Sequence, residues 1–308
     1  MANYRTKLRK SGHEDVAING GKRSRGNPTG EASGKNIKRP KRCEANYLPN
    51  LHGHDETSLE NARKILVEEM KKKQPNGTLI SQLMDQTFPL RRQEIVKKEP
   101  AVQDMVNRWP GLFTERQVFA EFNRIANKNL QGDFFQALDQ HTPRFIELFK
   151  SKKGTVGQKL SEFMEQISWA TADITGLCSL VLKGISILLG DDSSEFYRSC
   201  YEMEKDEVQQ SITVGVLTVI YEGPVQGPST VHVHTHSPAI VLEGNIVMDN
   251  TDNFPQAVCL VFGLIYALHL DYLKRMANTL NFMLAVMLGL GNKTLSPKLI
   301  TLKNILLG

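Results

Sequence analysis

The residues best spaced for chemistry in this 308-residue chain are three alternating histidines, His232, His234 and His236, in the run HVHTH. In an extended strand all three project to one face, and imidazoles at that spacing can bind zinc or copper. Glu243 is the nearest carboxylate, yet no fixed fourth ligand is evident and a Pro-Gly loop precedes the run. Weak adventitious metal binding fits this pattern better than a dedicated site, so no cofactor is expected. A metal-dependent enzyme at 232–236 is the minor alternative. Asp191 and Asp192 with Glu195 supply neighbouring carboxylates, but no nucleophile or phosphate loop accompanies them, and they read most simply as a helix-capping cluster. The chain has no GxGxxG, GxxxxGKS, GxSxG or HExxH run. The expectation is a protein that is not an enzyme.

A second chemistry is charge. Residues 1–50 hold 12 Lys/Arg against 4 Asp/Glu, a net of +8, so an overall charge of +5 leaves −3 for the remainder. Lys22, Arg23 and Arg25 form one basic cluster, and Lys38, Arg39, Lys41 and Arg42 form another about a dozen residues later. Two such clusters on flexible chain have the layout of a bipartite nuclear localisation signal, whose cations fill acidic grooves of an import receptor. They could also contact phosphates directly, since basic tails bind nucleic acid through counterion release. Arg91, Arg92, Lys97 and Lys98 form a secondary basic surface if they lie on one exposed helix, with Glu94 pairing locally to Arg91 or Lys98.

The four cysteines, Cys43, Cys178, Cys200 and Cys259, show no CxxC spacing, which fits a reducing compartment. The apolar runs at 258–268 and 280–290 are short of the roughly 20 residues a membrane span needs, so they read as buried helices and no membrane partner is expected. A nuclear protein with a cytoplasmic pool is the resulting expectation.

These candidates must be held by a body that reads as α+β and predominantly α. Residues 1–56 carry glycines, prolines and polar residues with few apolar ones, the composition of a largely disordered basic arm. A helical domain follows over 57–206, then an α+β C-terminal domain over 207–308 with a small β-sheet and terminal helices; 57–308 packing as one unit is the alternative. Thr57 with Glu60, and Thr114 with Gln117, have capping-box spacing. Pro89 predicts a kink or restart with Thr87 as N-cap. Pro100 reads as the first position of the next short helix. Thr142-Pro143 predicts a break between two short helices in 130–152. A helix is expected around 194–201, and strands at 211–221, 231–236, 239–242 and 246–248, the last two joined by a Gly244-Asn245 turn. Trp109 and the phenylalanines at helical spacing read as core.

The wording of the chain adds a resemblance. KRPKRCEANYLPN, SLENARKILVEEMKKK, TFPLRRQEIV, RWPGLFTERQVFAEFNRI and LDQHTPRFIELFKSKKG, with VIYEG, IVLEGNIVM, VFGLIYALHLDY and LSPKLITLKNILL near the C-terminus, resemble a family of vertebrate proteins labelled sterile alpha motif domain-containing protein three-like. Family members often carry an N-terminal sterile alpha motif domain, a small helical bundle for self-association or protein binding. Residues 1–56 read as a basic arm instead, so that oligomerisation role does not transfer. The resemblance brings no catalytic residues. Together these readings lead to a non-enzymatic nuclear interaction or scaffold protein. The alternative is direct, sequence-nonspecific DNA or RNA binding through the arm and the Arg91/Arg92 helix.

Overall fold

The computed structural model describes residues 46–49, 55–165, 173–222, 233–235, 237–291 and 295–307. The basic clusters at Lys22, Arg23, Arg25, Lys38, Arg39, Lys41 and Arg42, and also His232 and His236, lie outside the described residues. Within them the chain is α+β and predominantly α, as the sequence predicts.

Helix α1 (Glu56–Met70) begins at Asp55, whose carboxylate accepts the Thr57 N–H. The expected Thr57–Glu60 capping box therefore does not form, because Glu60 is drawn instead to Arg63 and Arg108. Asn76 starts α2 (Gly77–Gln86) by accepting from the N–H groups of Thr78 and Leu79. Helix α3 (Phe88–Lys98) restarts at Pro89, but Thr87 is helical and makes no N-cap bond. Its hydroxyl donates to Leu83 O and accepts from Arg91. Helix α4 (Val102–Arg108) begins two residues beyond Pro100 and ends at Trp109. A 3₁₀ turn (Pro110–Phe113) leads to α5 (Glu115–Ala126). There the predicted Thr114–Gln117 box is also absent, because Thr114 Oγ1 donates to Gly111 O and Gln117 reaches Ser81.

Helix α6 (Leu130–Ser151) is one helix of 22 residues, not two. Pro143 removes one backbone donor at a cost of about 3 kcal/mol in a free helix. Leu138, Thr142, Phe145 and Phe149 are buried on both sides of it, and that burial holds the helix continuous. Helices α7 (Gly154–Glu165) and α8 (Ile174–Leu189) follow, and Gly190 ends α8 with φ +77°.

Where a helix was expected around 194–201, the chain turns and enters strand β1 (Tyr197–Tyr201). Its partner is β2 (Val214–Glu222), parallel to it and reached through the short helix α9 (Lys205–Gln210). The sheet has five strands in the order β1-β2-β4-β5, with β3 (Val233–Thr235) paired to β2; β4 is Ala239–Leu242 and β5 is Asn245–Met248. Strand alternation gives the sheet two faces. Val214, Val216, Ile240 and Leu242 join the main core, whereas Cys200, Ile212, Leu217, Val219 and Val241 form a second small cluster with Val208 and Ile246. The β4–β5 turn is Glu243-Gly244, one residue earlier than predicted, and both residues have positive φ (+49° and +74°).

The sheet is followed by α10 (Phe254–Ala267), α11 (Ala277–Met287) and α12 (Pro297–Leu307). Helix α10 is apolar on every side because α5, α6, α8 and the sheet all pack on it. At Gly263 an added Cβ would come within 2.3 Å of Val118 Cγ1, so the missing side chain lets α10 approach α5 closely. One hydrophobic core runs from Leu59 to Leu306. The expected division at 206/207 falls inside α9 and separates two paired strands.

Helix α11 lacks a capping side chain at Met276. Asp191, just past the end of α8, supplies one: its carboxylate accepts the Thr279 N–H (2.7 Å), the Thr279 hydroxyl (2.9 Å) and Asn278 Nδ2 (2.9 Å). The capping role expected for Asp191 is thus exercised on a distant helix. We expect Asp191→Ala to cost about 1–2 kcal/mol, the usual loss of an N-cap, and Asp191→Asn to cost less. Urea denaturation monitored by circular dichroism measures both.

Candidate functional site

The residues expected to form a basic surface are instead the centre of a buried network. Arg91 and Arg92 are both 0% exposed, which contradicts the reading of them as a secondary basic surface. The reason lies in helix geometry. Neighbours on a helix project about 100° apart, so Arg91 and Arg92 leave α3 toward two different packed elements.

Arg91 turns toward α5 and grips Glu121, also 0% exposed, as a fork: Nε to Oε1 at 2.9 Å and Nη2 to Oε2 at 2.6 Å. Its remaining donors go to Thr87 Oγ1 (3.1 Å) and Met84 O (3.1 Å), near the end of α2. The guanidinium also lies 5.2 Å from the Trp109 ring and 5.9 Å from Phe88. Burial opposes ionisation of Glu121, but the charges and hydrogen bonds of Arg91 and Arg124 outweigh it and hold this carboxyl below the usual carboxylate range. Arg124 then links Glu121 (2.7 Å) to Asp85 (2.8 Å).

Arg92 points the other way, toward backbone carbonyls. Nη1 donates to Tyr266 O and Ala267 O, both at 2.9 Å, and Nε donates to Tyr47 O at 3.1 Å. Those two carbonyls belong to the last turn of α10, the negative end of its dipole, which is a favourable place for a cation. Burial lowers the Arg92 pKa to about 10, still well above neutrality, so it remains charged.

Glu94 does not pair with Arg91 or Lys98 as expected. It binds Arg108 in a fork (2.6 and 2.8 Å) and accepts Trp109 Nε1–H at 2.9 Å. Burial raises its pKa, but the hydrogen bonds from Arg108 and Trp109 bring the net shift below normal. Arg108 reaches on to Glu60 on α1 (2.8 Å). The hydrogen bond from Arg63, reinforced by Arg108 against desolvation, holds Glu60 down to about 2. Of the predicted basic surface only Lys97 and Lys98 are exposed, and Lys97 Nζ donates to Gln93 on its own helix.

The metal candidate gains no support. His234 pairs with Tyr221 across β3 and β2, and His232 and His236 fall outside the described residues. Glu243, the carboxylate nearest that segment, accepts the Val102 N–H at 2.8 Å and caps α4. Among the described residues no group of three or more His, Cys, Asp or Glu is arranged to hold a metal ion. Cys178, Cys200 and Cys259 are free and buried, and desolvation pushes all three thiols up, so the nucleophilic thiolate is disfavoured. His141, expected at a helix entry, is buried within α6, and burial lowers its pKa. Two surface depressions, one lined by Lys150, Ser161, Met164 and Glu165 and the other along α1 beside Lys64, Ile65 and Glu68, lie apart from the network. No helix among the described residues is long and apolar enough to cross a membrane.

Glu121 was not singled out from the sequence. Its signal was weak: an acidic residue that shares its side of α5 with Gln117 and Arg124 looks like an ordinary local ion pair on an exposed face.

Two outcomes follow for the network. Glu121→Ala strands a buried arginine and should cost about 3–5 kcal/mol, whereas Arg91→Met with Glu121→Leu together should cost less than either single change. Chemical denaturation of Glu121→Ala, of Arg91→Met and Glu121→Leu singly, and of those two combined reads this directly. The depressed carboxyl groups make stability fully present above their unfolded pKa of 4.5 and progressively lost below it; for Glu60 the window runs from 4.5 to about 2. An acid titration of Glu60→Gln should therefore show a shallower loss of stability across that range than the wild-type chain.

No curated protein and no solved structure matches this chain. Residues 59–114 match the profile described as sterile alpha motif domain-containing protein 3, helical domain. That stretch spans most of α1 through the 3₁₀ turn and carries Glu60, Arg91, Arg92, Glu94, Arg108 and Trp109. Over this helical segment, the chain resembles the family of sterile alpha motif domain-containing protein 3.

Proposed function

We propose that this protein is a non-enzymatic nuclear interaction protein, in which a folded, mostly helical body is brought to its partners by a basic arm. The observation that carries the reading is the distribution of cations. Arg91, Arg92, Arg108 and Arg124 are occupied inside the body by carboxylates and helix-end carbonyls. The two basic clusters, Lys22, Arg23 and Arg25, then Lys38, Arg39, Lys41 and Arg42, sit in a segment of net charge +8 ahead of a body that sums to −3. Long cationic side chains in that density suit the acidic grooves of a nuclear import receptor.

Direct nucleic-acid binding through the Arg91/Arg92 helix loses its two arginines to the core. Any such contact by that helix falls to Lys97 and Lys98. The buried network supports a scaffold reading, because it fixes the helices rigidly relative to one another and so presents a constant outer surface.

A fluorescent reporter fused to residues 1–56 should accumulate in the nucleus. Replacing Lys38, Arg39, Lys41 and Arg42 together by Ala should return it to an even distribution between nucleus and cytoplasm. A wild-type fusion that stays cytoplasmic overturns the proposal. Titration of the intact chain with duplex DNA at rising salt separates the other route, since phosphate contacts give affinity that falls steeply with salt.

A further inference from the structure

Helix α12 uses only part of its apolar surface to fold. Leu299 and Leu306 are buried and Leu302 is half-buried, where the helix packs on α11 and α6. At its start Lys298 Nζ donates to the carbonyl of Leu189, the last residue of α8, at 2.9 Å. With about 100° between successive residues, Leu307, Ile300, Asn304, Thr301 and Ile305 follow one another around the opposite side. Ile300, Ile305 and Leu307 are 43%, 45% and 55% exposed, and Thr301 and Asn304 are exposed between them. The Thr301 hydroxyl donates to Pro297 O, so it asks for no outside acceptor. This outer stripe holds no charge, and lysines border it on both sides, Lys303 next to Leu307 and Lys298 next to Ile305.

The charge around the stripe is of one sign. Residues 272–308 contain Lys274, Arg275, Lys293, Lys298 and Lys303 but no Asp or Glu. Asp191 and Asp192 reach this part of the fold from the end of α8, and both are engaged, Asp191 by Asn278 and Thr279 and Asp192 by Arg275.

On the reading of this chain as an interaction protein, we propose that the outer face of α12 docks an acidic amphipathic helix of a partner protein. The aliphatic side chains of that helix lie on Ile300, Ile305 and Leu307, and its carboxylates reach toward the flanking lysines.

Aliphatic side chains spread over two turns are the pattern with which one helix takes another. Charge then selects the occupant. A second copy would bring its own cations to a face whose sequence carries no carboxylate, and like charges repel. Nucleic acid would meet aliphatic side chains where its phosphates need donors. An anionic membrane suits the charge, but helices that lie on membranes present a broad apolar face with Trp, Phe or Leu. Helix α12 has no aromatic residue and turns Leu299, Leu302 and Leu306 toward its own core.

The test is fluorescence anisotropy of a labelled helical peptide, leucine-striped and glutamate-rimmed, titrated with the intact chain. It should bind in the micromolar range, with affinity that falls several-fold as salt rises. Ile300→Ser, Ile305→Ser and Leu307→Ser combined should weaken binding about tenfold or more. Met203→Ser, at an apolar residue 98% exposed elsewhere on the surface, should leave it unchanged. Lys303→Glu, which keeps the aliphatic stripe, should weaken the acidic peptide and strengthen a lysine-rimmed peptide of the same stripe. Absence of binding, equal binding of the two peptides to the wild-type chain, or acidic-peptide binding that survives the triple change overturns the proposal. So does co-sedimentation with phosphatidylserine vesicles that the triple change abolishes, because the face would then belong to lipid. The reporter carrying residues 1–56 contains no part of α12, so its outcome and this one fail separately.

Discussion

Two adjacent arginines in α3 with no access to water set the terms for this structure. A buried guanidinium is tolerated only when its donors and its charge are both met, and a single carboxylate cannot meet two of them. Arg91 uses Glu121 on α5 and a carbonyl of α2. Arg92 uses the carbonyl end of α10 and the backbone of Tyr47. The two side chains thereby fix four separate parts of the chain around α3. Sliding α3 by one turn would leave both cations unpaired, so the network acts on register more than on total stability.

The same economy recurs at the helix ends. Glu243 in the β4–β5 turn caps α4, and Asp191 at the end of α8 caps α11. Each carboxylate stands far in sequence from the N–H groups it satisfies. Glu243 also accounts for its own backbone, since a non-glycine residue at φ +49° is unfavourable unless something holds it there. The sheet and the helices are thus joined by polar contacts as well as by the shared core.

The family resemblance falls on the same structure. The matched residues 59–114 hold α1 to α4 and all of the ionic network except its α5 partners, Glu121 and Arg124. Those partners, and the α10 carbonyls, come from beyond the match. Its exposed cations include Lys71, Lys72, Lys73, Lys97 and Lys98, while Arg91 and Arg92 are interior.

Local patterning was sufficient for the predominance of helix, the apolar character of α8 and α10, the stop at Trp109, the strand at 239–242 and the placement of Trp109 in the core, because each depends on periodicity or on residues a few positions apart. Family wording in 59–114 was legible for the same reason. Tertiary structure decided the rest. The continuity of α6 through Pro143 depends on what covers Thr142 and Phe145. The strand at 197–201 depends on a parallel partner near residue 216. Whether Arg91 and Arg92 face solvent or core depends on Glu121 and Tyr266, which lie 30 and 174 residues away. A basic run on a helix looks the same in sequence whether its charges meet water or are answered across the core, and only the fold supplies the partners.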